Sequence, residues 1–243
     1  MSVIFGRNPV LEALKSQREI EKLVVIKNGE GSIKRIERMA RESKIPIQYV
    51  DKKALDRFAG SSKHQGVAAQ TSPYKYYEVD DILARASDKG EEPFLMILDN
   101  IEDPHNLGAI IRTADGAGAH GIIIPKRNAV GLTETVGKAS AGAVEYLPVA
   151  KVTNIANTID KLKALGLWVV SCDMDGELYY EADLTGPIAV IIGSEGKGIS
   201  RLVKEKSDFV VSLPMEGNIS SLNASNAAAV LMYEINRQRS CKK

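Results

Sequence analysis

Five short, nearly continuous apolar runs constrain this 243-residue chain more than any other feature. They are residues 94–98 (FLMIL), 122–124 (III), 168–171 (WVVS), 189–192 (AVII) and 209–213 (FVVSL). A strand with one wet face alternates polar and apolar residues. A strand without that alternation must be covered on both faces, as in a parallel sheet between helical layers. Helical patterns fall between the runs, at residues 107–117, 133–140, 154–165 and 222–237. The alternation predicts a doubly wound α/β domain, whose ligands sit at the carboxyl ends of the strands.

Residues 1–76 read as a separate, smaller α/β domain. Residues 8–18 suit a short helix and residues 23–26 a buried strand. Ser32 is placed to cap a helix carrying Ile33, Ile36, Met39 and Ala40 at helical spacing. A strand at 45–50, a helix at 53–58 and a strand at 67–70 follow. Residues 73–77 (PYKYY) read as a linker, residues 77–90 as a lead-in, and residues 91–243 as the second domain. Charge separates the two parts. Residues 1–76 hold 15 Lys and Arg against 8 Asp and Glu, a net of +7, while the other 167 residues hold 17 against 23, a net of −6. A basic module joined to an acidic one suits a polyanion-binding domain beside a different machine.

No apolar run approaches the roughly 20 residues of a membrane helix. The first residues lack a secretory signal pattern. The two cysteines, Cys172 and Cys241, form no metal-spaced cluster, and no His pair has metal-ligand spacing. A cytoplasmic protein without a metal is expected.

Three loops leave strands of the second domain with unusual chemistry. The first, residues 99–108 (DNIEDPHNLG), places Asn106 at the expected helix N-cap and runs on to Arg112. Arg112 sits among Ile110, Ile111 and Ala114, where an Arg is costly unless paired. It is either functional or a buried Arg satisfied by Asp99, Asp103 or Asp115. The second loop, residues 192–199 (IGSEGKGI), has three glycines that let a ligand approach the backbone. It matches neither a phosphate-binding P-loop nor a hydrolase elbow. The third, residues 213–226 (LPMEGNISSLNASN), masses small polar side chains before an Ala-rich helix. Such groups cap a helix or hold a ligand at its N-terminus. Residues 116–121 (GAGAHG) match the dinucleotide fingerprint literally, but they follow a helix and precede a strand, the reverse of what the fingerprint needs.

Together, residues 106–112, residues 193–198, and Leu213 and Pro214 with residues 221–225 resemble the three signature motifs of the SpoU, or TrmH-type, ribose methyltransferases of the SPOUT superfamily. The likeness covers residues 94–238. Residues 1–76 resemble the ribosomal-protein-like substrate-binding domain of its two-domain members, some of which methylate a guanosine ribose in large-subunit ribosomal RNA. The resemblance implies a parallel-sheet domain with a deep trefoil knot, a homodimer, and S-adenosylmethionine as cofactor. It implies cofactor contacts at Gly193, Glu195, Gly196, Leu213, Ser221, Leu222 and Asn223. It makes Arg112 the residue most tied to catalysis, with Asn106, Glu195, Ser221 and Asn223 around it. For the basic domain, Arg7, Asn8, Lys63, His64 and Gln65 flank glycines and are expected to touch RNA.

The residue types fit the chemistry. A 2′-hydroxyl attacking a sulfonium methyl needs alignment and proton removal, with neither metal nor nucleophilic cysteine. An Arg stays protonated (pKa above about 12), so Arg112 suits a clamp on phosphate or developing alkoxide better than a base. Glu195 or a phosphate oxygen is left to take the proton. Competing readings are a transfer-RNA methyltransferase, a non-catalytic RNA-binding assembly factor of the same fold, and a nucleotide-dependent dehydrogenase.

Overall fold

The computed structural model describes residues 2–241, in two units. The first holds residues 2–75 together with Leu132–Tyr146, and the second holds Tyr76–Gly131 and residues 147–241.

In the first unit β1 (Ser2–Phe5), α1 (Arg7–Lys15), β2 (Ile20–Ile26), α2 (Ser32–Glu42), β3 (Ile47–Val50), α3 (Lys52–Ala59) and β4 (Val67–Thr71) follow in order. The sheet runs β1-β4-β2-β3, with only β2 and β3 parallel. Alternation splits β2 between two cores. Leu23 and Val25 pack with Val10, Leu14, Ile33 and Ile36 of α1 and α2, while Val24 packs with Leu55 of α3. Asp51 caps α3, accepting from the Ala54 amide at 2.8 Å. Ser32 is not a cap. Gly31 precedes the helix with φ +66°, and the Ser32 hydroxyl accepts from Arg7 instead.

The chain continues through α4 (Val79–Asp88), β5 (Phe94–Asp99), α5 (Pro104–Ala117) and β6 (Gly121–Pro125). Helix α6 (Glu134–Ala139) then belongs to the first unit. There the Val3 amide donates to Glu134 Oε1 at 2.6 Å, and Arg18 pairs with Glu145 at 2.9 Å and lies over the Tyr74 ring. Burial raises the Glu145 carboxyl above its usual range, against the opposing pull of Arg18.

The second unit resumes with β7 (Val149–Val152), α7 (Ile155–Ala164), β8 (Trp168–Leu178), β9 (Ile188–Gly193), α8 (Arg201–Glu205), β10 (Phe209–Ser212) and α9 (Ala224–Cys241). Its six strands are all parallel, in the order β10-β8-β9-β5-β6-β7. All five apolar runs are strands here, as the missing alternation required. Leu95 and Ile97 face a core with Ile82 of α4, Ile155 and Ile159 of α7 and Val203 of α8. On the other side α5 and α9 pack against each other. Each fully buried aliphatic side chain contributes about 1.5–3 kcal/mol. The glycine run before β6 closes a helix: Gly118 ends α5 in the left-handed region, at φ +81°. No helix among the described residues is long and apolar enough to cross a membrane.

His120, buried just before β6, ties that turn to the start of β5. Its Nδ1 accepts from the Phe94 amide at 3.0 Å, so the proton sits on Nε2, 3.0 Å from Glu91 Oε2. Burial holds the imidazole below its usual value near 6.5, outweighing the hydrogen bond to Glu91, with Lys89 and Arg239 adding to the lowering. A histidine kept neutral by folding stabilises fully above that usual value. The contribution is lost as pH falls below it, through the folded pKa. His120→Asn keeps an acceptor but does not titrate. The melting temperature of wild type should therefore fall more than the variant's between pH 7.5 and 5.5; equal falls would contradict the argument.

Candidate active site

Strands β5 and β9 lie side by side at the point where the sheet order reverses, the usual ligand crevice of an open α/β sheet. Asp99 ends β5 and pairs in register with Gly193, which ends β9. Buried Asp99 joins the loops that follow. Its Oδ2 accepts from the Ser200 amide at 2.7 Å and its Oδ1 from Asn100 at 3.0 Å.

Asp103, not Asn106, caps α5, accepting from the amides of His105 (3.1 Å) and Asn106 (3.3 Å). Pro104 takes the first helical position, where its missing N–H costs nothing. Asn106 falls within the first turn, and its side chain reaches out of the helix. Its Nδ2 donates to Glu195 Oε1 at 2.9 Å.

The loop after β9 turns back tightly, with the Gly198 amide donating to the Ser194 carbonyl at 2.8 Å. A Cβ at Gly193 would lie 2.2 Å from the Gly198 carbonyl carbon, so only glycine fits there. The third loop, exposed from Pro214 to Asn223, closes on the same point. Asn223 Nδ2 donates to Asn106 Oδ1 at 2.9 Å and to Glu195 Oε1. The Ala224 amide donates to the same Glu195 oxygen at 3.4 Å. Asn223 Oδ1 accepts from the Ser225 amide at 3.0 Å, so one side chain both starts α9 and joins the cluster.

Two cavities meet at Glu195. The larger, about 440 Å³, is lined by residues 193–198, by Leu213, Met215, Ser220, Ser221 and Leu222, and by Cys172, Asp173 and Met174 of β8. The smaller, about 400 Å³, is lined by residues 100–103 with Asn106, Asn223 and residues 194–197. Burial pushes the Cys172 thiol up to about 11, so it is an inert wall at neutral pH. Sequence reasoning did not find Asp173, Met174 and Met215 in this wall. The signal for Asp173 and Met174 is the continuation of β8 to Leu178, well past its apolar run, and Met215 lies in the third loop already singled out.

Of the expected catalytic residues, Asn106, Glu195 and Asn223 are joined by hydrogen bonds. Ser221 lines the larger cavity. Arg112 stands apart: it is exposed and lines neither cavity. A buried Arg paired to Asp99, Asp103 or Asp115 does not occur, because Ile110, Ile111 and Ala114 take the core side of α5 and leave Arg112 outside.

In the first unit, the turn before α1 meets the loop before β4. The Arg7 amide donates to Gln65 Oε1 at 3.0 Å, and Arg7 Nε donates to the Gln65 carbonyl at 3.1 Å. Asn8, Lys63 and Gln65 are exposed there, and Ser32 of α2 joins through Arg7. His64 does not present its ring as expected. It is 3% exposed, with Nε2 3.0 Å from Asp56 and Nδ1 accepting from the Gly66 amide at 2.9 Å. Its work is to hold the loop.

A doubly wound α/β unit with a polar crevice at its strand switch, joined in one chain to a small unit rich in Lys and Arg, has the make-up of a ligand-binding protein with a second module suited to a polyanion. Comparison with known proteins is more specific. Residues 93–233 match the SpoU rRNA methylase family, and residues 3–77 match the RNA 2′-O ribose methyltransferase substrate-binding domain. The chain is 52% identical over 238 residues to YacO of Bacillus subtilis (strain 168), assigned to the TrmH family of tRNA/rRNA methyltransferases, covering 97% of this chain and 95% of YacO. Among solved structures it is similar to the SpoU methyltransferase AviRb of Streptomyces viridochromogenes in complex with AdoMet. There the TM-score is 0.81 at 26% identity, over 98% of this chain and 90% of that one. It is also similar to an AdoMet-bound rRNA methyltransferase of Sinorhizobium meliloti, with a TM-score of 0.80 at 25% identity, over 97% and 87%. The chain belongs to the SpoU methylase family and is an RNA methyltransferase of the SpoU/TrmH type.

Proposed function

We propose that this protein, as a homodimer in the cytoplasm, transfers a methyl group from S-adenosylmethionine to the ribose 2′-hydroxyl of a guanosine in large-subunit ribosomal RNA. The cluster of Asn106, Glu195 and Asn223 at the shared wall of two cavities carries the reading. Likeness along nearly the whole chain to an rRNA methyltransferase favours ribosomal over transfer RNA.

The larger cavity fits the cofactor. Leu213, Met215 and Leu222 offer apolar surface beside the polar Asp173, Glu195 and Ser221, and Gly193 and Gly196 leave backbone open to a ligand. The trefoil knot belongs to this reading. Its support is the likeness of residues 93–233 to the SpoU rRNA methylase family.

When bound, S-adenosylmethionine supplies an electrophilic methyl on a sulfonium. The chain must align a ribose hydroxyl with it and remove one proton. Glu195 Oε1 takes three donors, leaving Oε2, which has no partner among the described residues, to accept that proton. Asn106 and Asn223 fix the carboxylate, so its orientation costs nothing at the moment of reaction. Residues 1–76 select the RNA, presenting Arg7, Asn8, Lys63 and Gln65. Residues 77–90 lead into the methyltransferase domain at 91–243. The free thiols Cys172 and Cys241 suit a reducing compartment.

Arg112 acts on the second subunit's site. It is exposed on α5, and α9, packed beside α5, exposes Val230 (37%) and Tyr233 (55%), a patch suited to a second copy. Mixing two inactive variants, Arg112→Ala and Glu195→Ala, should therefore restore about a quarter of wild-type activity, because each mixed dimer holds one intact site. No recovery after proven subunit exchange would place Arg112 in its own subunit's site.

The proposed function is tested by mapping ribose methylation in RNA from cells with and without the protein. One guanosine of large-subunit RNA should lose its 2′-O-methyl group. Loss from a transfer RNA instead would establish the alternative.

A further inference from the structure

Every residue expected to touch the cofactor except Asn223 lines the larger cavity, which leaves the smaller one without an assigned ligand. It adjoins the larger one through Ser194, Glu195, Gly196, Lys197 and Ala224, so a nucleotide whose ribose sits at Glu195 must place its base on one side of that wall. Its volume of about 400 Å³ lies in the ordinary range of small-ligand pockets. Its outer wall carries an exposed carboxylate, Glu102, with no hydrogen bond or ion pair among the described residues. The backbone presenting it is fixed on both sides. Ile101 is buried and its carbonyl accepts from the Val130 amide at 3.0 Å, while Asp103 is held as the cap of α5. An exposed ammonium, Lys197, lines the same cavity.

We infer that the smaller cavity receives the extruded target nucleobase and that Glu102 selects guanine within it. This rests on the methyltransferase reading above. Enzymes that take a base out of its stack read it through its Watson–Crick edge. Only guanine offers two adjacent donors there, N1–H and the N2 amine, matching the two oxygens of a carboxylate. Adenine and cytosine each set an acceptor nitrogen beside their single amine, and uracil flanks its one N–H with carbonyls. Those acceptors repel a carboxylate. Lys197 supplies a donor suited to the remaining guanine acceptors, O6 and N7. Glu102 is thus a specificity residue. It touches the base and leaves the reacting atoms to Asn106, Glu195 and Asn223.

The test uses the full-length protein, labelled S-adenosylmethionine, and total RNA from cells lacking the protein, with the product digested to nucleosides. Wild type should yield 2′-O-methylguanosine. Glu102→Gln, which turns one acceptor into a donor, should lower its formation by about 10- to 100-fold, the usual worth of a charged hydrogen bond. Cofactor affinity measured by calorimetry should not change. Once the position is mapped, RNA with inosine there, lacking the N2 amine, should slow wild type about tenfold and leave Glu102→Gln unaffected by the exchange. Undiminished guanosine labelling by Glu102→Gln, or equal sensitivity of both proteins to inosine, would overturn the inference while leaving the reading intact. A labelled adenosine or pyrimidine would overturn the inference and the guanosine target together, and leave ribose methylation standing. No label in any RNA from the wild type would contradict the reading itself, and the inference would fall with it.

Discussion

Gly193→Ala is expected to weaken S-adenosylmethionine binding on the order of 100-fold while the protein stays folded. The added methyl has nowhere to go. Its carbon would lie 2.2 Å from the Gly198 carbonyl carbon, and 2.4 Å from both the Gly198 oxygen and the Ile199 amide nitrogen. These are backbone atoms, so no rotamer change relieves the overlap. The loop is also anchored beyond the clash, where Ile199 is buried and the Ser200 amide bonds Asp99. The strain must open residues 194–198, of which 194–197 wall both cavities. Gly186→Ala is the control, because its new carbon would come no closer than 3.9 Å to its nearest neighbour, Trp168. Calorimetry with both variants checks this. A Gly193→Ala protein that binds the cofactor as tightly as Gly186→Ala would show that the turn does not shape the site.

Asn223→Ala should lower kcat by about 100- to 1,000-fold, with a much smaller effect on cofactor affinity. This side chain holds three loops at once. It donates to Asn106 of the first and Glu195 of the second, and its oxygen caps α9 in the third. Truncation removes one of the donors that orient the Glu195 carboxylate, along with a cap worth about 1 kcal/mol. The melting temperature should therefore drop only modestly while turnover collapses. Asn223→Asp keeps the cap but sets a second carboxylate against Glu195. If that repulsion matters, it should restore stability and not activity. Less than a threefold loss of kcat in Asn223→Ala would mean that the cluster is structural only.

The parts of this fold that were legible in the sequence share a physical cause. Strands buried on both faces must be apolar throughout, so β5, β6, β8, β9 and β10 announced themselves. Strand β7 did not, because its four residues, VAKV, carry a lysine and sit at the sheet edge. Helix α4 lay hidden in what reads as a lead-in, with only Ile82 and Ala86 of its ten residues buried. Helix α8 is five residues long with one buried side chain, too short for any period to register. The attachment of Leu132–Tyr146 to the first unit depends on pairs such as Arg18–Glu145, 127 positions apart, which no local pattern encodes.

The site was legible as three odd loops, and the resemblance joined them. Local rules erred on details decided by tertiary packing. Asp103 outcompetes Asn106 for the cap because Pro104 fixes where the helix starts. That displacement frees Asn106 for Glu195. Arg112 looked buried from its neighbours, yet helical geometry puts it on the face opposite Ile110 and Ala114. His64 looked available in a polar loop, but Asp56 and the Gly66 amide take both ring nitrogens.

The central claim is that these loops deliver a methyl group to a ribose hydroxyl of RNA. The most direct measurement incubates the purified protein with methyl-labelled S-adenosylmethionine and large-subunit ribosomal RNA from cells lacking it, then hydrolyses the RNA with alkali. A 2′-O-methyl group blocks cleavage of the adjoining phosphodiester. Label should therefore appear in an alkali-resistant dinucleotide, and Glu195→Ala should leave none. Label recovered in ordinary mononucleotides, which places the methyl on a base, would contradict the account.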